Sequence, residues 1–98
     1  MTRFRLAEQA KKDLDGIWSY LGIVRQSPGA AHRQMETLYA KFSLLASQPL
    51  LGETRDDLRN GLRAFTAGSY VIFYVPREGA VEIERVIHAS RDVTSLWP

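Results

Sequence analysis

Ninety-eight residues, 45% of them hydrophobic and none of them cysteine, suit one domain with one core and exclude disulfides and thiolate metal sites. The formal net charge is only +2 and its basic side chains are scattered, so composition does not call for a dedicated nucleic-acid groove. No run reaches the ~18 apolar residues that span a bilayer and no charged-then-apolar leader opens the chain, so a cytoplasmic protein without metal or cofactor is expected.

The chain opens with Arg3-Phe4-Arg5-Leu6, whose polar–apolar alternation predicts a short strand. Helical spacing follows: Leu6, Ala10, Leu14, Ile17, Trp18 and Leu21 recur at three and four residues and form one stripe. Gly16 weakens this helix by up to ~1 kcal/mol against alanine, so packing has to hold it. Ser27-Pro28 marks a second start, with the serine expected as N-cap acceptor and the proline at the first helical position. Ala31, Met35, Leu38, Phe42 and Leu45 then continue a stripe that stops before Pro49. Two striped helices joined by a few residues make an antiparallel hairpin, and their stripes are expected to cover a sheet.

Residues 49–61 read as the one long irregular segment, closed by the Asn60-Gly61 turn signal. Three β-rich runs follow, Leu62–Thr66, Tyr70–Val75 and Ala80–Ala89, joined at Ala67-Gly68-Ser69 and Pro76-Arg77-Glu78-Gly79. Turns this short predict antiparallel neighbours. The expectation is an α+β single domain over residues 1–98, in the order β-α-α-β-β-β, with an antiparallel sheet packed against the helical hairpin.

Alternation in the last run puts Val81, Ile83, Ile87 and Ala89 on the core face, and Arg85 falls in phase with them. The opposite face holds Glu82, Glu84, Val86, His88 and Ser90. An unpaired buried arginine is very costly, so Arg85 is expected to meet an acid, as a salt bridge tying sheet to helices, or to reach an edge. His88 near the strand end, with His32 far away on a helix, gives no metal-ligand pair and reads as a hydrogen-bonded or packed histidine. Arg91-Asp92 reads as a local ion pair at the exit from the sheet. The aromatic run Tyr70–Tyr74 reads as packing, not as a base-stacking platform. Every basic residue after Lys41 is an arginine, which favours directed, forked contacts.

Several pieces carry a resemblance. They are Asp13-Leu14 with Ile17 and Tyr20, then Pro49, Gly52, Arg55 and Leu58, then Gly61-Leu62-Arg63. Gly68 and Tyr70-Val71-Ile72-Phe73-Tyr74 follow, and last Arg85-Val86-Ile87-His88 with Arg91-Asp92. Together and in this order they resemble the ParE/RelE superfamily of bacterial type II toxins, and within it the ParE branch. That resemblance implies an αα-hairpin on an antiparallel sheet and a growth-arresting toxin paired with a ParD-like antitoxin. Such an antitoxin would carry a ribbon-helix-helix dimer, so DNA contact by the pair would come from the partner and not from this chain.

Two activities live on that fold, so fold does not choose between them. The ParE-like branch acts on DNA gyrase and stalls its cleaved-DNA state; the RelE-like branch is similar to a ribosome-dependent mRNA endonuclease. Cleavage by 2′-hydroxyl attack needs a base, an acid and cations, and Arg63 and His88 stand roughly where the nucleases carry an arginine and an acid/base residue. Three departures weigh against it: Leu51 replaces a carboxylate ahead of the loop glycine, no lysine follows Lys41, and no tyrosine follows His88. The reading adopted is a gyrase-binding protein, not an enzyme, with the nuclease and a degenerate antitoxin-binding module as alternatives. Arg63, His88, Arg91 and the tail Ser95-Leu96-Trp97 are then expected to engage the target or shape the surface that does, unless the tail folds back onto the sheet. The antitoxin is expected over the hairpin and the sheet edge, with Leu14, Trp18, Leu21, Met35 and Leu38 as apolar anchors and Arg33 and Lys41 meeting its acids.

Overall fold

The computed structural model describes residues 3–97; Met1, Thr2 and Pro98 lie outside the described residues. The first strand, β1 (Phe4–Leu6), leads into α1 (Glu8–Ser19), a π-helical turn (Tyr20–Val24) and α2 (Pro28–Ser47). Four strands follow: β2 (Glu53–Thr54), β3 (Arg63–Ala67), β4 (Tyr70–Arg77) and β5 (Ala80–His88). They form one sheet in the order β1-β5-β4-β3-β2. The α+β architecture with a helical hairpin on a sheet is as expected. The sheet itself is mixed, because β1 runs parallel to β5 while the other pairs are antiparallel. Everything between β1 and β5 serves as the long crossover that a parallel pair requires. The segment 49–61 is irregular except for β2, which gains two ladder positions opposite Arg63 and Ala64.

The helix stripes pack as their spacing dictates. Ala10, Leu14 and Ile17 of α1 join Leu38, Phe42 and Leu45 of α2 over Ile72, Tyr74, Val81, Ile83 and Val86 of the sheet. Phe4, Tyr39 and Phe42 stack at 5.3–5.9 Å between ring centroids, locking β1 under α2. The Ser27 side chain accepts no capping bond, contrary to expectation. The entry to α2 is set instead by the π-helical turn, where Arg25 N donates to Tyr20 O at 2.8 Å, and by Ser27 N donating to Leu21 O at 2.9 Å. The extra residue in that turn rotates Ile23 and Val24 off the stripe, and both are exposed.

Alternation in β5 is broken by a bulge. Tyr74 faces Ile83 and Phe73 faces Arg85, so Glu84 has no partner across the ladder. One inserted residue reverses the faces beyond it. Val86 therefore joins the helix-side core, and Ile87, expected beside Val81 and Ile83, turns to the other face. That second face carries its own small core of Leu62, Phe73, Val75 and Ile87, covered by Leu58, Val93, Leu96 and Trp97. Trp97 lies 4.8 Å from the Phe73 ring, centroid to centroid, so the tail does fold back onto the sheet. The run Tyr70–Tyr74 serves packing, with Ile72, Phe73 and Tyr74 fully buried. Among the described residues no helix is long and apolar enough to cross a membrane.

Candidate functional site

The ends of α1 and β5 diverge around a cleft of about 530 Å³. Lys12, Gly16 and Tyr20 line its helical side; Tyr70, His88 and Arg91 line its sheet side. Its width is fixed from beneath by a single carboxylate. Asp13 accepts from Arg85 Nε at 2.8 Å and Nη2 at 3.0 Å, and also from Val86 N at 2.9 Å. Arg85 and Asp13 side chains are only 17% and 12% exposed, so this is the sheet-to-helix salt bridge expected from the cost of burying the Arg85 charge. The bulge makes it geometrically open, since β1 pairs only with Val81–Ile83 and leaves β5 an edge at Arg85.

His88 sits on the rim at the last position of β5, exposed, with the Tyr70 ring edge-on at 5.5 Å. Ser90 N donates to His88 Nδ1 at 3.2 Å, and Ser90 Oγ lies 2.8 Å from the same nitrogen. In the neutral ring this fixes the proton on Nε2. Arg91 N donates to His88 O at 3.0 Å, which turns the chain so that the Arg91 side chain faces the cleft. The expected Arg91–Asp92 ion pair does not form. Asp92 instead accepts from Thr94 N at 3.0 Å and Thr94 Oγ1 at 2.8 Å, bonds that hold its carboxyl below the usual range. Arg91 thereby keeps its guanidinium for other contacts. Burial raises the Tyr70 hydroxyl above its ordinary value, with Tyr20 adding to the shift, so the Tyr70 ring stays a neutral wall of the cleft.

Arg63 lies elsewhere. It opens β3 opposite Tyr74, whereas His88 is opposite Tyr70, so the two differ by four residues along β4 and two strands across. That places their backbones ~13 Å apart along the strands and ~10 Å across them. The Arg63 fork is engaged with the loop, donating from Nη1 to Gly52 O at 2.6 Å and Leu50 O at 3.3 Å. The acid/base pairing that a nuclease site would need from Arg63 and His88 is therefore not assembled. Beside Arg63, the buried Tyr74 hydroxyl accepts from Gly52 N and donates to Pro49 O, both at 2.8 Å. A Cβ on Gly52 would sit 2.7 Å from that hydroxyl and 2.8 Å from Ala64 O, so only glycine fits. Pro49, Gly52, Arg63 and Tyr74 thus form one clamp, which presents Leu50 (71% exposed) and Leu51 to solvent.

The remaining candidates divide by burial. Ser95 is exposed, while Leu96 and Trp97 are half-buried under the second core. Leu14 and Leu38 cannot anchor a partner as expected, because at 5% and 0% exposure they belong to the chain's own core. Leu21 and Met35 are half-buried against it, Trp18 is 40% exposed, Arg33 is exposed and Lys41 half-buried. A groove between the helices runs past Lys11, Asp15 and Tyr39. Sequence reading missed Lys12, Gly16, Tyr20 and Tyr70 at the cleft and Tyr39 at the groove. Each lay off the apolar stripe or inside a run assigned to packing, and exposed aromatics off the stripe were the one available signal.

Comparison with known proteins places this geometry. Residues 4–93 match the family described as the ParE toxin of the type II toxin–antitoxin system parDE. The chain is similar to Toxin ParE1 of Caulobacter vibrioides, 40% identical over 91 residues that cover 92% of each chain. It is similar also to Toxin ParE1 of Mycobacterium tuberculosis, 31% identical over 93 residues covering 94% of each. Among solved structures, a chain from the chromosomal ParDE toxin–antitoxin system of P. aeruginosa superposes with a TM-score of 0.73 at 19% identity, covering 90% of this chain and 96% of that one. Such low identity speaks to the fold alone, whereas the family match spans both the clamp and the cleft. The chain belongs to the ParE toxin family of type II toxin–antitoxin systems.

Proposed function

We propose that this chain is a toxin that arrests growth by binding DNA gyrase and stabilising its cleaved-DNA state, and that a ParD-like antitoxin neutralises it in the cytoplasm. The observation that carries the reading is the division of labour between Arg63 and His88. The first clamps a loop on carbonyl oxygens, while the second stands on the rim of an open cleft with Lys12 and Arg91. A rim of fixed donors and cations around aromatic walls suits gripping an acidic surface, and it lacks the paired acid and base that turnover of a phosphodiester requires. In this reading His88, Arg91 and Ser95 touch the target, and Leu96 and Trp97 hold the tail that carries Ser95.

Purified chain should lower the supercoiling rate of gyrase and increase linear, cleaved DNA. Arg91→Glu should weaken that inhibition roughly tenfold, as expected for reversing one exposed charge in an electrostatically guided contact. Undiminished supercoiling at excess toxin would overturn the reading, as would ribosome-dependent mRNA cleavage abolished by His88→Ala. The antitoxin, a ribbon-helix-helix protein, would lay its apolar segment over the helical hairpin at Trp18, Leu21 and Met35, with acids toward Arg33 and Lys41. Trp18→Asp should then leave the toxin active while co-expressed antitoxin no longer protects the cell.

A further inference from the structure

The turn that ends β5 uses a side chain as one of its acceptors. Arg91 N closes the turn on His88 O at 3.0 Å, while Ser90 N donates to the His88 ring, at Nδ1, 3.2 Å away. A side chain that accepts from the amide two residues on is the device by which asparagine and aspartate shape local turns, and here an imidazole takes that place. A backbone N–H can only donate, so Nδ1 offers its lone pair, and the Ser90 hydroxyl at 2.8 Å donates to the same nitrogen. The ring proton of the neutral imidazole therefore sits on Nε2. A nitrogen that already holds a proton takes none from a hydroxyl; it donates a hydrogen bond. The Tyr70 ring, edge-on at 5.5 Å, packs against the imidazole and restricts its rotation. Neutral His88 is thus built as a donor, not as a general base.

The charges around the cleft select what accepts from that donor. Asp13 is the one carboxylate in its lining, and Arg85 and Val86 N occupy both of its oxygens. Lys12 and Arg91 line the same cleft, and neither forms an ion pair among the described residues. Asp92, next in the chain, is turned onto Thr94. Two unpaired cations and an oriented N–H donor, with no free carboxylate to oppose them, suit an oxyanion. The Arg91 fork matches the paired oxygens of a carboxylate. A nucleic-acid strand gains its affinity from a row of cations along its backbone, and a cleft with two offers no such row.

We infer that the rim of this cleft is a carboxylate-binding site, in which His88 donates from Nε2 beside Arg91 and Lys12, and that Ser90 is the positioning residue that holds the imidazole in its donating form. The site deepens the gyrase reading, which supplies the protein whose carboxylate it takes, but its chemistry is testable on the full chain alone. Nitrogen-15 spectra of the imidazole at about pH 8, above the ordinary histidine range, report the tautomer. His88 should show a proton on Nε2 and a bare Nδ1. Ser90→Ala should move the two nitrogen signals toward each other as the tautomers mix, and Ser90→Thr, which keeps the hydroxyl, should restore them. Acetate should shift the His88 and Arg91 side-chain signals in a saturable way that chloride at equal ionic strength does not. Ser90→Ala should weaken both acetate binding and gyrase inhibition about threefold to tenfold, the worth of one hydrogen bond. A wild-type chain that leaves supercoiling intact yet meets the tautomer and acetate expectations would sink the gyrase reading and sustain this one. A proton on Nδ1 in the wild type, a tautomer indifferent to Ser90→Ala, acetate shifts no larger than those of chloride, or tighter binding of dimethyl phosphate than of acetate would each overturn it.

Discussion

Replacing Asp13 by alanine tests how much of this fold hangs on one carboxylate. The substitution removes three acceptor contacts, two from Arg85 and one from Val86 N. It leaves a guanidinium that is 17% exposed without its counter-charge and a backbone N–H without an acceptor. Breaking a fully buried pair costs ~3–5 kcal/mol, and an orphaned amide ~1–3 kcal/mol. Residual exposure lets water reach the arginine, so a total of ~2–4 kcal/mol is expected, a large share of the ~5–15 kcal/mol that holds a domain together. Urea unfolding followed by far-ultraviolet circular dichroism measures it, with Arg85→Ala and the double variant completing a cycle. The coupling energy should fall at ~1–3 kcal/mol, because each single substitution strands the other partner. A loss below ~0.5 kcal/mol, or additive single substitutions, would refute the idea that this pair ties β5 to α1. Because the same pair sets the cleft beside His88, Asp13→Asn, which keeps the side chain's shape, should inhibit gyrase less well than its loss of stability accounts for.

Other outcomes follow from single contacts. Tyr74→Phe strands the Gly52 N–H and the Pro49 carbonyl and should cost ~1–3 kcal/mol, read as a fall in melting temperature of ~4–8 °C per kcal/mol. Gly16→Ala, where an added methyl meets nothing within 4 Å, should raise stability by ~0.5–1 kcal/mol in the same melt. Glu84 has its carboxyl pushed up by burial first and by the neighbouring Glu82 next, only partly offset by Arg59. Its folded form thus binds a proton more readily than the unfolded chain does, and stability must fall as pH rises from the ordinary glutamate range through the raised value. Glu84→Gln should flatten that arm of the stability–pH curve; an unchanged arm would show that the titration lies elsewhere.

Much of the fold is written locally. The stripes from Ala10 to Ile17 and from Ala31 to Leu45, Pro28, and the turn glycines Gly61, Gly68 and Gly79, all with positive φ, dictate two helices and three hairpin-linked strands because each signal acts over a few residues. The need of Arg85 for an acid was equally legible, since burial of an unpaired charge is prohibitive anywhere in a chain.

What the sequence by itself determined, then, is the opening strand, the two helices and the three hairpin-linked strands, together with the requirement that each buried charge find a partner; β2 and the π-helical turn came only with the tertiary structure. Tertiary structure alone decided which partner, which face and which edge. The bulge at Glu84 sent Ile87 to the second core, Arg63 went to the Gly52 carbonyl, and β1 came to lie beside β5, gathering Arg3, Arg5 and Arg77. Those outcomes depend on contacts between residues distant in sequence, such as Asp13 with Arg85, 72 positions apart, and local periodicity carries no information about distances of that kind.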